Sequence, residues 1–541
     1  MTGLCRAALA WTDRTSSLDI AFGTHSNLQV WVGGGLHDIT PGLARASARL
    51  GANPLSVSNA STVITVAHVA HGLATGDSVM ISGSSLVGGV TPSGLYSLTV
   101  TGPHAYAITH GSAATSTAVG GGSAVVSAPQ NTFSMGSVDG AGGAGYGTGS
   151  YSTGDYSEPS TADYFPRTWA LAAWGENLLA NPRGGAIHAW TNDTMVMAAP
   201  LANSPRQVTH MLVAPQDQVF ALGCNEEVSG AFNPLCIRHS SVRNSTVWNT
   251  AANTTAREYI LPGGGRIVAG RVVGPYLLVW TTHALFLGTF VGALGQPWRF
   301  DRVGEKCGLI GPNGAVVVGQ GAYWLGPDLQ FYRYLLGGAP EPLACPIHQD
   351  FADNLAPSQG DKVVASSISA FSEIRFDYPD ARDGSENSRY LSLSLADGAW
   401  SRGVMARTAM VDAGPAQHPI GVDPVGQVYW HERGASADGG PFSWFVETAD
   451  QHLDEDVTAM VRGLWPDIKD QQGPVAVTVI SRFQPQGEER VYGPYLMAPG
   501  EDRIDIRATG RLFRMRLSGG SSPTACRIGK PVFDIAVAGR R

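Results

Sequence analysis

Charge is scarce in this chain: Asp, Glu, Lys and Arg make up 15% of its 541 residues, against about a quarter in an average soluble domain. Cysteine is thin as well. Cys5, Cys224, Cys236, Cys307, Cys345 and Cys526 form no C-x-x-C pair and no disulfide framework. That excludes a small stapled fold and makes a reducing compartment of synthesis the default. The apolar patch around Cys5, Arg6 and Trp11 lacks a signal-peptide core, so sequons such as Asn244-Ser245-Thr246 carry little weight. Walker A and G-x-S-x-G sequences are absent. Glycine has no three-residue period, which excludes collagen.

What the chain does hold is backbone punctuation. Its 68 Gly and 33 Pro make up about a fifth of the residues, where roughly 12% is usual. Both residues are poor inside helices, which argues against a helical bundle. A hydrophobic content of 43% argues equally against wholesale disorder. A large, turn-rich, mostly β protein survives, with length alone suggesting three or four domains. The net charge of −8 is unevenly placed. From Arg503 onward the balance is +7, so residues 1–502 carry −15. A protein gripping phosphate along its whole surface would not be built this way. Only the C-terminal basic strand, with Arg503, Arg507, Arg511, Arg514 and Arg516, is a candidate contact for DNA or an acidic partner subunit. The competing reading is a solvated or interface face paired to acids such as those at 447–456.

Short alternating runs recur along the chain. Residues 18–40 read as a β meander. Residues 51–128 form a small β module rich in Ser, Thr, Val and Gly, exemplified by the Thr62–Val66 alternation. Residues 129–160 are a Gly/Ser/Tyr-rich connector. From 161 to 445, hairpins recur at propeller-like intervals, including Tyr323–Leu325 with Phe331-Tyr332, and Tyr390–Leu395 turning at Asp397-Gly398 to Trp400. Gln427–Trp430 resembles a third. Between Arg271 and Arg299 no residue is charged, long enough to imitate a membrane span. Two aromatic-rich runs around Thr281-Thr282-His283 instead predict a buried hairpin, with no membrane-spanning segment. Residues 446–541 read as a β-sandwich. Its strand 511–517 puts Arg511 and Met515 with Phe513 and Leu517, so neither face is clean.

Motifs for chemistry are weak. Gly140, Gly142 and Gly145 match G-x-G-x-x-G without the strand and helix a nucleotide site needs. His68 with His71, and Cys345 with His348, are single pairs where zinc needs three or four ligands, and the His pair is expected to point to different faces. His431-Glu432 lacks a second His. Asp454 with Asp456 and Asp377 with Asp380 are available carboxylates, read as solvated loop acids. Trp169, Trp174 and Trp190 are read as core rather than sugar-stacking residues. No catalytic, cofactor-binding or metal residue is assigned.

Several segments together resemble the tail nozzle proteins of short-tailed bacteriophages, also called tail tubular protein B. They are Leu18–Gly23 with Asp38–Pro41, Trp169–Leu171 with Trp174–Gly185, Cys307–Asn313, Tyr323-Trp324, the 389–400 hairpin and Arg507–Arg511. The 51–128 module is similar to small β modules of phage tail proteins. The resemblance implies an all-β chain: a degenerate β-propeller, an inserted small module, and β-sandwich or barrel platform domains built from both chain ends, 1–50 and 446–541. It further implies a hexameric ring in the virion tail, made in the bacterial host cytoplasm. That ring would sit beneath an adaptor protein, beside tail fibres or spikes, and retain and then pass double-stranded DNA, with no catalytic residues. The alternative is a receptor-binding tail fibre or spike that binds or cleaves polysaccharide. A bacterial propeller enzyme or lectin is a further rival.

Overall fold

The computed structural model describes every residue except 42–46, 72, 74, 76, 77, 131–135, 141–164, 294, 453–456, 521, 522 and 541. The protein is nearly all β and divides into two compact units, Met1–His431 and Glu432–Arg541.

The first unit is a ring of antiparallel sheets, each a simple meander in chain order. Blade 1 consists of Cys5–Thr12, Leu18–Thr24, Leu28–Val32 and Gly35–Asp38. Blades 2 to 6, also four-stranded, span 169–200, 208–260, 267–305, 315–343 and 364–404, and the three-stranded blade 7 spans 409–430. First strands of consecutive blades lie side by side, and that of blade 1 also lies against that of blade 7. The ring is therefore closed, and the unit is a seven-bladed propeller.

Each blade's second strand has a neighbour on both edges and a blade on both faces. Asn177–Pro182, Tyr276–Thr281 and Glu373–Pro379 are buried along nearly their whole length. Tyr276–Thr281 runs almost continuously apolar, as two covered faces require, whereas Glu373–Pro379 still alternates and pairs its buried Arg375 with Asp377. This burial explains the uncharged 271–299 stretch. Tyr276–Thr281 and Ala284–Phe290 form the expected hairpin, with Leu277 opposite Gly288 and Trp280 opposite Leu285. The 321–335 and 387–404 hairpins are present too, and Val428–Trp430 pairs with Ile420–Val422.

Tryptophans fasten blade to blade. Trp169 Nε1 donates to the Thr24 carbonyl at 2.7 Å, Trp11 Nε1 to that of Glu176 at 3.2 Å, and Trp298 Nε1 to Gln218 Oε1 at 2.8 Å. Burying each ring stabilises by about 1.5–3 kcal/mol, and the bonded N–H avoids an orphan donor. Trp169 and Trp190 are thus core, as the sequence suggests. Blades 1 and 7 close through a shared cluster of Cys5, Ile20 and Phe22 with Ala409, Ile420 and Val422.

That closure corrects the expected domain plan. Residues 5–38 are not part of a platform with the C-terminal region; they are blade 1 of the propeller, which is not confined to 161–445. The buried strand Leu18–Thr24 needs a blade on each face, and blades 2 and 7 supply them. The inserted module is an eight-stranded sheet between blades 1 and 2, running from Ala48 to Gln130 around Leu55, Ile64, Val66, Val79, Leu98 and Tyr106. The predicted connector falls mostly outside the described residues.

The second unit packs a sheet containing Trp444–Glu447, Leu512–Gly519, Val475–Arg482 and Arg490–Met497 against one of Ile504–Gly510, Val457–Trp465 and Val532–Arg540. Phe513, Met515 and Leu517 are buried while Arg514 and Arg516 lie on the other face. The core face is clean after all, because Arg511 precedes the strand.

Candidate functional site

The seven first strands enclose an axial cavity of about 580 Å³. Its wall is mainly small and apolar, with Ala7, Leu171, Val213, Val316 and Ala365 contributed by different blades. Arg271 stands out on this wall. Its Nη1 donates to the Gly270 carbonyl at 2.9 Å and toward His210 Nε2 at 3.2 Å, Nη2 to the Pro312 carbonyl at 2.8 Å, and Nε to that of Ala315 at 3.2 Å. Burial pushes its pKa down to about 10, so the guanidinium remains charged and His210 stays a neutral acceptor. Further along, Asp412 accepts from Ser367 Oγ at 2.6 Å and from the Ser369 and Ala413 amides.

At the end where the first strands begin, a buried ion cluster crosses between blades. Arg6 is 2% exposed and grips Glu386 with both terminal nitrogens at 2.6 and 2.7 Å. Lys362, fully buried, donates to Glu386 at 2.7 Å, Asp139 at 2.6 Å and the Ser385 carbonyl at 2.7 Å. Hydrogen bonding from Lys362 holds the Asp139 carboxyl below its usual range.

The short segment 136–140 is tied down along its length here. Gly136 donates to the His25 carbonyl, Ser137 accepts from the Arg167 amide, and Gly140 exchanges two bonds with the Gln359 amide group. Beyond it, Phe165 lies between the guanidinium groups of Arg183 and Arg266, at 3.9 and 4.4 Å from the ring centre. Arg183 is in turn paired to Asp361 at 2.7 Å. These groups give the axis a pinned mouth, in which Arg6 and Lys362 share Glu386 and Arg183 holds Asp361 in largely buried pairs.

The basic strand behaves differently from a phosphate-gripping face. Arg514 pairs with Glu489 at 2.7 Å and Glu447 at 3.3 Å, and Arg516 with Glu447 at 3.6 Å while covering the Phe445 ring. Arg503 meets Asp505 at 3.0 Å and lies over Trp465. Arg507 is exposed, with no carboxylate partner among the described residues. Arg511 anchors the strand start through its amide bond to the Arg482 carbonyl. The five are therefore not one cationic patch.

The remaining motifs disperse. His68 and His71 do not point apart, since their rings lie 5.9 Å from each other around Tyr106. Yet His71 uses both nitrogens on backbone, accepting from the Leu73 amide at 3.0 Å and bonding the Gly102 carbonyl at 2.9 Å, which leaves no lone pair for a metal. His348 Nε2 bonds the Leu329 carbonyl at 2.9 Å. Among the described residues no group of three or more His, Cys, Asp or Glu could hold a metal ion.

Asp377 is no solvated loop acid. It is fully buried against Arg375 and pushed up to about 6 by burial. Asp380, also buried, is clamped by Arg382 and Arg389. Asp454, Asp456, Gly142 and Gly145 lie outside the described residues. The Arg6–Glu386–Lys362–Asp139 cluster had no sequence motif. Its members are separated by up to 380 positions, and a lysine in a Gly-Asp-Lys turn carries no local signal.

No protein-family model matches the chain, and no curated protein does. Among solved structures it is similar to the computationally designed Ika8 protein, at 9% identity over 79% of this chain and 96% of that one, with a TM-score of 0.34. It also aligns with the endosialidase of phage phi92, at 12% identity over 84% of this chain and 64% of that one, with a TM-score of 0.20. A third is PorZ, a surface component of the type-IX secretion system of Porphyromonas gingivalis, at 10% identity, 86% and 46% coverage and a TM-score of 0.29. The fold assignment rests on the strand pairing of the chain itself. No helix among the described residues is long and apolar enough to cross a membrane.

Proposed function

We propose that this protein is a structural subunit of a short-tailed phage tail, the nozzle, and that six copies form the ring through which DNA leaves. The observation that carries the reading is the state of the propeller axis. Its cavity of about 580 Å³ falls in the size range of small-molecule pockets, roughly 300–1,000 Å³, far short of a duplex channel. On its wall Arg271, His210 and Asp412 are committed to internal partners. A conduit would therefore have to be enclosed by several copies, with each propeller serving as a wall block.

The charge pattern supports the same reading. The acidic body, together with the neutralisation of Arg514 and Arg516 by Glu447 and Glu489, avoids a wall that would hold DNA through counterion release. Light scattering on the purified protein, alone and with tail adaptor protein, tests the proposal. A mass of six copies is expected. Trimers that cleave polysaccharide would replace it with the spike reading.

A further inference from the structure

Blade 3 contains two thiols in contact. Its second strand, Gln218–Asn225, and third strand, Phe232–His239, lose register between Leu222 opposite Ile237 and Cys224 opposite Asn233. Gly223 sits at the break with φ of 61°, the left-handed region that suits glycine. Residues 234–236 bulge opposite it and bring Cys236 against Cys224, with the sulfurs 3.8 Å apart. Both are fully buried in the cluster with Val208, Met211 and Trp248, and both are free thiols.

A disulfide needs sulfurs about 2.05 Å apart and a Cβ–S–S–Cβ dihedral of about ±85–100°. The pair must therefore close by less than about 2 Å, within reach of small χ1 changes on two adjacent strands. We propose that Cys224 and Cys236 are an oxidisable pair that forms a disulfide when the protein meets an oxidant of the glutathione-disulfide class. One thiol, deprotonated, attacks a sulfur of glutathione disulfide and expels one glutathione thiolate. The other protein thiol then attacks the mixed disulfide and expels the second. Two protein thiols and one glutathione disulfide become one protein disulfide and two glutathiones.

The product staples the hairpin end that carries Glu226 and Glu227, which already ties blade 3 internally through Asn233 and Thr250. The contact with Cys224, and then burial, hold the Cys236 thiol well above its ordinary value. Exchange therefore proceeds through transient opening of the blade and quickens steeply with temperature.

Trypsin reports the outcome directly, because no Lys or Arg lies between Arg206 and Arg238 and the 207–238 peptide holds only these two cysteines. The folded full-length protein is incubated at a series of glutathione to glutathione-disulfide ratios until the pattern stops changing, then unfolded, alkylated and digested. The expected result is a 207–238 peptide about 2 Da lighter that resists alkylation, with peptides bearing Cys5, Cys307 and Cys526 still alkylated. The thermal midpoint should rise by a few degrees, a gain absent from Cys236→Ala. A 207–238 peptide that stays doubly alkylated, or that carries glutathione without closing, at every ratio overturns the proposal. Closure with an unchanged midpoint overturns the stapling role.

Discussion

Lowering the pH from 7 to 5 protonates the histidines of the unfolded chain but not four of those in the folded propeller unit. His188, His210, His239 and His431 are all at most 8% exposed. Burial holds His188 and His239 down to about 4. Burial, reinforced by Arg407, holds His431 down to about 3, and burial with Arg271 holds His210 well below its usual range. Two of these imidazoles accept hydrogen bonds from guanidinium groups, Arg407 to His431 at 2.8 Å and Arg271 to His210 at 3.2 Å, so protonation would set cation against cation.

Because the folded values are depressed, the unfolded state binds the extra protons, and stability falls below pH 6.5. The loss is about 1.4 kcal/mol per pH unit for each histidine, or about 8 kcal/mol for four at pH 5. Asp377, raised to about 6, works the other way and returns about 1.4 kcal/mol between pH 6 and 5. The net loss, about 6–7 kcal/mol, is comparable to the whole stability of an ordinary domain. Urea unfolding followed by tryptophan fluorescence at pH 7, 6, 5.5 and 5 measures it, and His431→Gln should remove about one proton from the slope. A free energy that stays level or rises from pH 7 to 5 would refute the reasoning.

Glu386→Gln leaves Arg6 and Lys362 buried with one carboxylate fewer. It should cost about 3–5 kcal/mol and lower the melting temperature by several degrees in calorimetry, whereas Glu341→Gln at the exposed Arg333 pair should cost under about 1 kcal/mol. Gly308 packs so tightly on the Thr282 backbone that an added Cβ would overlap it. Gly308→Ala should therefore cost about 1–3 kcal/mol, read as a shift in urea midpoint. Arg514→Gln should destabilise the second unit by about 1 kcal/mol and leave duplex-DNA retention and its salt dependence unchanged. A weakened retention would assign that strand to DNA.

Much of the propeller was legible because burial writes itself into local sequence. Tyr276–Thr281 runs apolar because both its faces are covered, and in blade 6 Asp397-Gly398 marks the turn between Asn387–Ser394 and Trp400–Val404. Blade 1 was misassigned because ring closure depends on Cys5–Thr12 meeting Ala409–Val411, a contact some 400 positions apart with no local signature. The pairing of the basic strand with acids near 447 was foreseeable from charge, since Glu447 lies directly opposite Arg516 across two paired strands. The axial ion cluster was not foreseeable. Asp139 sits in low-complexity sequence, and only the closed ring brings it to Lys362.

The central claim is that the protein works as one block of a ring. Negative-stain imaging of the purified full-length protein, with averaged views down the symmetry axis, tests it most directly. The account predicts six-fold rings with an opening wide enough for a DNA duplex. Isolated propellers, or three-fold particles without an opening, in the presence of the adaptor would contradict it.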